Sequence, residues 1–422
     1  MRLSDRVDRA ETIGGSAFTI GWLLEKLGAN CEEFGRLADE HELQAVGVDL
    51  ISEGMGFLSS VFRCRLEFAG GRELSVCLKL PSGRKIEEIL QDERQVGELA
   101  RVHDRECAFY ATFREVPGLR KPRVFSLQPL GDARHPSAAH LLMEFADGAA
   151  NLPLDRSFTP ALLRECARQM ARLHAFSLQH PHLWAAGFEP MDWGKKEEGE
   201  KQKEEEKDPF GDMQQQINAK LEEHGGKELA EAIALLDPVA AHPNFFHFCT
   251  FQSHLQAGSV CPVLVHGDLW GNNVMVRTER AADGELRFTD EIRTIIDWQL
   301  ASKGNPAFDL VRLLVLNTDA EVRRECEEAV LREYFETLRE ALRPADVPFD
   351  FERLWRASRP LVLLHTLMGA FLVAFHFQSD RQRAERPHFC RRLRAAADDD
   401  AAAVMREPEC SLASIKRETE RS

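Results

Sequence analysis

Val263–Val276, VLVHGDLWGNNVMV, and Arg293–Asp309, RTIIDWQLASKGNPAFD, decide how this chain is read. Asp268 stands five residues before Asn273, and a second carboxylate, Asp297, closes the apolar run Ile295–Ile296. Phosphoryl transfer asks a protein for these groups: a carboxylate to orient and deprotonate an attacking hydroxyl, and oxygen ligands to hold Mg²⁺ across the phosphates. Asp268 suits the first task. Asn273 and Asp297 suit the second, because an amide oxygen and one carboxylate give a hard cation two attachments without crowding out phosphate oxygens. Val274 and Val276, with Leu286, Phe288, Ile292, Thr294 and Ile296 in later alternation, read as strands that anchor the loop. Taken singly, an Asp-x-x-x-x-Asn or an Asp ending a strand is as often a turn or cap residue. The conjunction with His266–Gly267 before and Trp298–Gln299 after gives the stretch its meaning.

The chain upstream carries a second set of patterned elements. Val61–Phe68 alternates with Phe62, Cys64, Leu66 and Phe68 on one face, a Gly70–Gly71 turn follows, and Leu74–Leu80 alternates again, which predicts a hairpin. Leu74, Val76, Leu78 and Leu80 share one face, so Lys79 projects from the other with Ser75 and Cys77. An ammonium on a long flexible stem needs an anion to hold it. Glu106, at helical spacing with Val102, Phe109 and Phe113 in a helix over residues 94–113, is a carboxylate on an apolar stripe that itself needs a partner. Before the hairpin, Gly54 and Gly56 let a backbone approach phosphates closely, and Ser59 adds a hydroxyl.

In these motifs the chain resembles the choline-kinase-like and aminoglycoside-phosphotransferase-like small-molecule kinases, most closely their ecdysteroid-kinase-like (CHK-type) branch. The resemblance runs through nearly the whole chain in order and departs in a charged insert and a long polar tail. It implies an α+β, bilobal, protein-kinase-like fold, with an antiparallel N-terminal sheet lobe carrying the Glu helix and a larger, mainly helical C-terminal lobe. It implies ATP and Mg²⁺ as cofactors, with Lys79 on the α- and β-phosphates, Glu106 bracing it, and Gly54, Gly56 and Ser59 over the phosphates. Glu144 and Phe145 would form the hinge that binds adenine, His266 would brace the catalytic loop, and Asp309, at a helix start, would fix that loop through backbone N–H groups. The implied acceptor is a hydroxyl of a small molecule: an ecdysteroid, a sterol-like or xenobiotic alcohol, or a choline-like amino alcohol. A catalytically inactive nucleotide-binding pseudokinase is the other alternative. A protein kinase is disfavoured, since eleven residues between Asp297 and Asp309 leave little chain for an activation segment and no Ala-Pro-Glu motif follows.

Composition agrees with an enzyme of this kind. A chain of 422 residues with 44% hydrophobic content can build a sizeable core. A formal charge of −15 disfavours nucleic acid or anionic membrane as a main partner. The ten cysteines are scattered without a C-x-x-C pair and sit in apolar patterns, as in reduced core positions; no zinc site is indicated, and with no secretory signal at the start the expected location is cytoplasmic. Leu361–Phe377 is apolar but interrupted by His365, Thr366 and His376, and reads as a buried helix rather than a membrane span.

The expected organisation is an ATP-clamping lobe over 1–145, a catalytic and substrate lobe over 146–397 with the charged insert 194–208, and a tail over 398–422. Helices are expected at Ile20–Leu27, capped by Gly28, and at Pro160–Leu178, Glu321–Arg343, Asp350–Ser358 and Leu361–Phe377, with Arg381–Arg394 as a solvated helix face. Oligomeric state leaves no mark in the sequence.

Overall fold

Thr19 caps the first helix, α1 (Ile20–Asn30), by accepting the Trp22 N–H at 3.2 Å. The helix runs through Gly28 rather than ending there. A mid-helix glycine costs only about 1 kcal/mol, and the extra turn lets the Cys31 N–H close on the Leu27 carbonyl at 2.8 Å and the chain enter α2 (Glu32–Glu40). The computed structural model describes residues 2–52, 59–81, 93–131, 138–189, 209–236, 260–375, 377 and 380–401. Gly54, Gly56, His376, the insert 194–208 and residues 402–422 lie outside these.

β1 (Leu43–Leu50), β2 (Ser59–Phe68), β3 (Arg72–Pro81), β4 (Val124–Gln128) and β5 (His140–Glu144) form an antiparallel sheet in the order β1-β2-β3-β5-β4. The predicted hairpin is β2–β3, and its turn uses Gly70 and Gly71 at φ 79° and 69°, a region where a side chain would be strained. Phe62, Cys64, Leu66, Phe68, Val76, Leu78 and Leu80 are buried with Leu23, Leu24, Leu27 and Phe34 of the two helices, so the face opposite Lys79 carries the core. α3 (Glu93–Thr112) follows, with Val102, Glu106, Phe109 and Phe113 all buried as the helical stripe predicted. One compact unit comprises residues 1–114, 121–149 and 296–300.

The second unit comprises 115–120, 150–295 and 301–422. β6 (Ala149–Asn151), β8 (Val274–Arg280) and β9 (Leu286–Ile295) form a three-stranded sheet, and β7 (Val263–Val265) pairs with β10 (Ser302–Gly304). The expected alternation in β9 is imperfect: register shifts opposite Met275–Thr278 leave Leu286 exposed, and the strand ends before Ile296. The rest is helical: α4 (Pro160–Gln179), α5 (Pro181–Trp184), α6 (Pro209–Gly225), α7 (Lys227–Ala234), α8 (Phe308–Leu316), α9 (Ala320–Leu342), α10 (Phe351–Phe375) and α11 (Asp380–Ala396).

Two expectations need correction. The helices predicted at Asp350–Ser358 and Leu361–Phe377 are one helix, α10, which carries Pro360 inside it. Proline removes one hydrogen bond and disturbs one turn, but Ala357, Ser358, Pro360 and Leu361–Thr366 are buried around that turn. α10 is long and apolar enough to cross a membrane by length and composition, yet 67% of its apolar window is buried inside the protein, as a core helix requires. His365 on it is a core histidine bonded to the Phe308 carbonyl at 3.0 Å. The 381–394 stretch is not solely a solvated face, since Arg392 is buried and its Nε donates to Asp319 at 2.6 Å.

A Cβ on Gly369 of α10 would stand 2.4 Å from Leu393 Cδ2 and 2.9 Å from Leu316 Cδ2. Gly369→Val should therefore lower stability by about 1–3 kcal/mol through overpacking, despite removing a helical glycine. An unchanged or raised melting temperature would show that the α8–α10–α11 contact is looser than described.

Candidate functional site

Lys79 leaves β3 on the polar face and is removed from water, its side chain 11% exposed. Its Nζ donates to Glu106 Oε2 at 2.6 Å and to Asp297 Oδ1 at 2.7 Å. Burial by itself would push the ammonium toward its neutral form. The charges of Asp297 and Glu106 outweigh that effect and hold its pKa above the ordinary lysine value. Burial also raises the Glu106 carboxyl, opposed by Lys79 and by a hydrogen bond from the Trp298 backbone. Trp298 is fully buried and stacks on Phe109, ring centroids 4.0 Å apart. α3 therefore holds the 297–298 segment twice, through Glu106 and through Phe109 one turn on. Asp297 is the one non-glycine residue in the left-handed region among the described residues, at φ 65°. A non-glycine residue there costs roughly 1–2 kcal/mol and persists only where its surroundings over-determine it.

The second group is built on the loop between β7 and β8. Asp309, fully buried on α8, accepts the His266 N–H at 2.7 Å and the Gly267 N–H at 3.0 Å. It is the second residue of α8, whose N-cap is Ala307, so its carboxylate holds the loop and not its own helix end. Gly267 takes φ 83°, and the Asp268 N–H donates back to His266 Nδ1 at 3.2 Å. Asn273 Nδ2 donates to the Asp268 carbonyl at 2.8 Å and to Asp268 Oδ2 at 3.1 Å. The other carboxylate oxygen, Oδ1, meets Arg312 NH2 at 2.5 Å. Asn151 Nδ2 reaches the carbonyls of Gly271, Asn272 and Val274, and Asn317 Oδ1 accepts the Gly271 N–H at 3.0 Å. Burial pushes the Asp309 carboxyl up to about 7, against the two loop N–H groups and Arg312, while Asp268 adds to the rise.

The structure thus gathers the expected residues into two groups, Lys79 with Glu106 and Asp297 in one unit, and Asp268 with Asn273, His266 and Asp309 in the other. Ser59 opens β2 opposite Pro81, Glu144 engages Arg123 at 3.4 Å, and the Phe145 ring lies 4.5 Å from the Arg63 guanidinium. Sequence reading missed Arg312, Asn151 and Asn317. Arg312 had a signal, a lone charge three residues after Asp309 in the apolar run of α8; the two asparagines had none. Among the described residues no cluster of three or more His, Cys, Asp or Glu stands together. Asn273, with its NH₂ committed to Asp268, has its carbonyl oxygen as the group to offer a cation.

Residues 77–387 match the model of the DUF1679 family, described as "Uncharacterized oxidoreductase dhs-27". The Caenorhabditis elegans protein of that name is 25% identical over 376 residues, 86% of this chain but 42% of that protein, so the chain spans less than half of its relative. A C. elegans protein named "Uncharacterized kinase-like protein D1044.1" is 28% identical over 116 residues, 28% of each. Among solved structures, Plasmodium vivax ethanolamine kinase has a TM-score of 0.41 at 13% identity, covering 91% of this chain and 95% of that one. Brachybacterium faecium macrolide 2'-phosphotransferase MphH, as apoenzyme, has 0.39 at 14% identity, covering 84% and 95%. The family model and the kinase-like relative fit the small-molecule kinase resemblance read from the motifs.

Two outcomes test the groups without any assay of activity. Lys79→Met leaves Glu106 buried without its cation and should cost about 3–5 kcal/mol, part of which Lys79→Met with Glu106→Leu recovers; equal stabilities of native and single variant in urea would contradict the buried pair. Because folding raises the Asp309 pKa from 3.8 to about 7, the folded chain binds the proton more tightly than the unfolded one. The Asp309 contribution to stability is then fully present below about pH 4 and is lost as pH rises toward 7. The stability of the native chain relative to Asp309→Asn should fall across that window and level off above it, where a flat difference would rule the assignment out.

Proposed function

The chain belongs to the DUF1679 family, and from the chemistry of its two polar groups we propose that it is an ATP-dependent phosphotransferase acting on a hydroxyl of a small molecule. One observation carries the reading: the strand-borne Lys79 held between Glu106 and Asp297, an ammonium fixed in position beside a second carboxylate. A buried ion pair adds little net stability, so the arrangement is better accounted for by phosphate chemistry than by folding.

When bound, Mg²⁺ would supply charge neutralisation to the phosphates, with Asp297 and Asn273 as its protein ligands. Lys79 binds the α- and β-phosphate oxygens, and Glu106 keeps its stem extended. Asp268 orients the acceptor hydroxyl and takes its proton, while His266, Asn273 and Asp309 hold the loop that carries it. The acceptor is read as an alcohol with an apolar body, such as a steroid-like or xenobiotic alcohol. Met368, Phe371, Leu372 and Phe375 form a half-buried stripe on α10, and Met368 Sδ lies 3.6 Å from the Arg312 that holds Asp268. The word oxidoreductase attaches to a relative more than twice as long as the matched stretch. The pairs β1–β2, β2–β3, β3–β5, β4–β5, β7–β10 and β8–β9 are antiparallel, and the sequence has no Gly-x-Gly-x-x-Gly, unlike a parallel dinucleotide-binding sheet.

Asp268→Asn should lower turnover by roughly 10²–10⁴ with ATP affinity little changed, the share of a general base; undiminished turnover removes that role. Asp297→Ala should abolish the thermal shift produced by MgATP, and a shift equal to that of the native chain would remove the metal assignment.

A further inference from the structure

Arg312 lies in the middle of α8, FDLVRLLVL, where every residue is buried. Its side chain is 4% exposed. A guanidinium has five N–H donors, and here NH2 meets Asp268 Oδ1 at 2.5 Å, NH1 faces the weak acceptor Met368 Sδ at 3.6 Å, and Nε is buried without a partner. A poorly satisfied buried cation is a liability, and replacing such ion pairs by apolar residues is often neutral or stabilising. Packing alone therefore gives α8 no reason to carry arginine at this position.

We propose that Arg312 is a positioning residue for Asp268, which it holds in one orientation for accepting the hydroxyl proton. The inference rests on the phosphotransfer reading above. Arg312 at Oδ1 and Asn273 at Oδ2 grip the two oxygens from different elements, which fixes the plane of the carboxylate. Several groups face this pair. Asp309, on the same helix, is fully buried, and its carboxyl is pushed up by burial and by Asp268 and down by the loop N–H groups and Arg312. His266, on the loop, accepts the Asp268 N–H through Nδ1 and so presents no proton there. His365, on α10, is kept in its neutral form by burial and by Arg312.

The test is the kcat and KM of MgATP hydrolysis by the full chain, with water in the acceptor's place, compared among the native protein, Arg312→Met and Arg312→Lys, with melting temperatures alongside. Arg312→Met should lower kcat by about 10- to 100-fold with the KM for ATP within twofold. Arg312→Lys restores a charge without the fork, and should recover part of the lost kcat at the native KM. If the Met variant fails to fold, Arg312→Gln gives the same readout. A folded Met or Gln variant with native kcat, whatever its melting temperature, overturns the inference and leaves the phosphotransfer reading standing. A native chain that neither hydrolyses MgATP nor transfers its phosphate removes the reading and the inference together.

Discussion

An ammonium taken out of water must have an anion beside it, and the unit built on the five-stranded sheet follows from that requirement at Lys79. The desolvation of a lysine costs several kcal/mol, so β3 can carry Lys79 on its inner polar face only if α3 brings Glu106 to it. α3 does so with the apolar stripe of Val102, Phe109 and Phe113, which packs the helix in the phase that points Glu106 inward. Asp297 completes the arrangement from far along the sequence, through a left-handed backbone that Trp298, stacked on Phe109, keeps in place. Sheet, helix and the distant 296–300 segment are therefore joined by one charge balance.

The second unit answers the same constraint differently. Its loop carries Asp268 between β7 and β8, and a loop of that length would sample many conformations unless its backbone groups were tied. They are tied by side chains from elsewhere: Asp309 to the N–H groups before Asp268, Asn151 to three carbonyls after it, and Asn317 to Gly271. Close approach is part of this device, since a Cβ on Gly271 would stand 2.5 Å from Asn317 Nδ2. The carboxylate is then the one group in the loop whose orientation is set by a buried cation, Arg312.

Much of this was legible in the residues. The β2–β3 hairpin and the inward Glu106 each follow from a periodicity, because local pattern and final packing agree there, while the bracing role of Asp309 was implied by the family resemblance. The departures have physical causes. Gly28 and Pro360 read as helix ends, yet an exposed glycine in the last turn of α1 costs only about 1 kcal/mol, and burial on both sides of Pro360 outweighed the loss of one helical turn's bond. Arg392 sits in a stretch rich in arginine, and composition cannot tell which member finds a buried Asp319. Asn151 and Asn317 contact loop backbone rather than side chains, and backbone partners leave no trace in residue identity. Arg312 was readable as an oddity in an apolar helix, but its partner was not.

The account's central claim is that phosphate leaves ATP for a small hydroxylated acceptor under the direction of Asp268. The direct measurement incubates the chain with γ-labelled ATP, Mg²⁺ and a panel of steroid-like, xenobiotic and amino alcohols, with Asp268→Asn as the control. The account predicts label on an acceptor hydroxyl with the native chain, favouring the apolar alcohols, and a loss of that label in the variant. Label that stays on ATP with every alcohol, or that reaches an acceptor equally well without the Asp268 carboxylate, would contradict it.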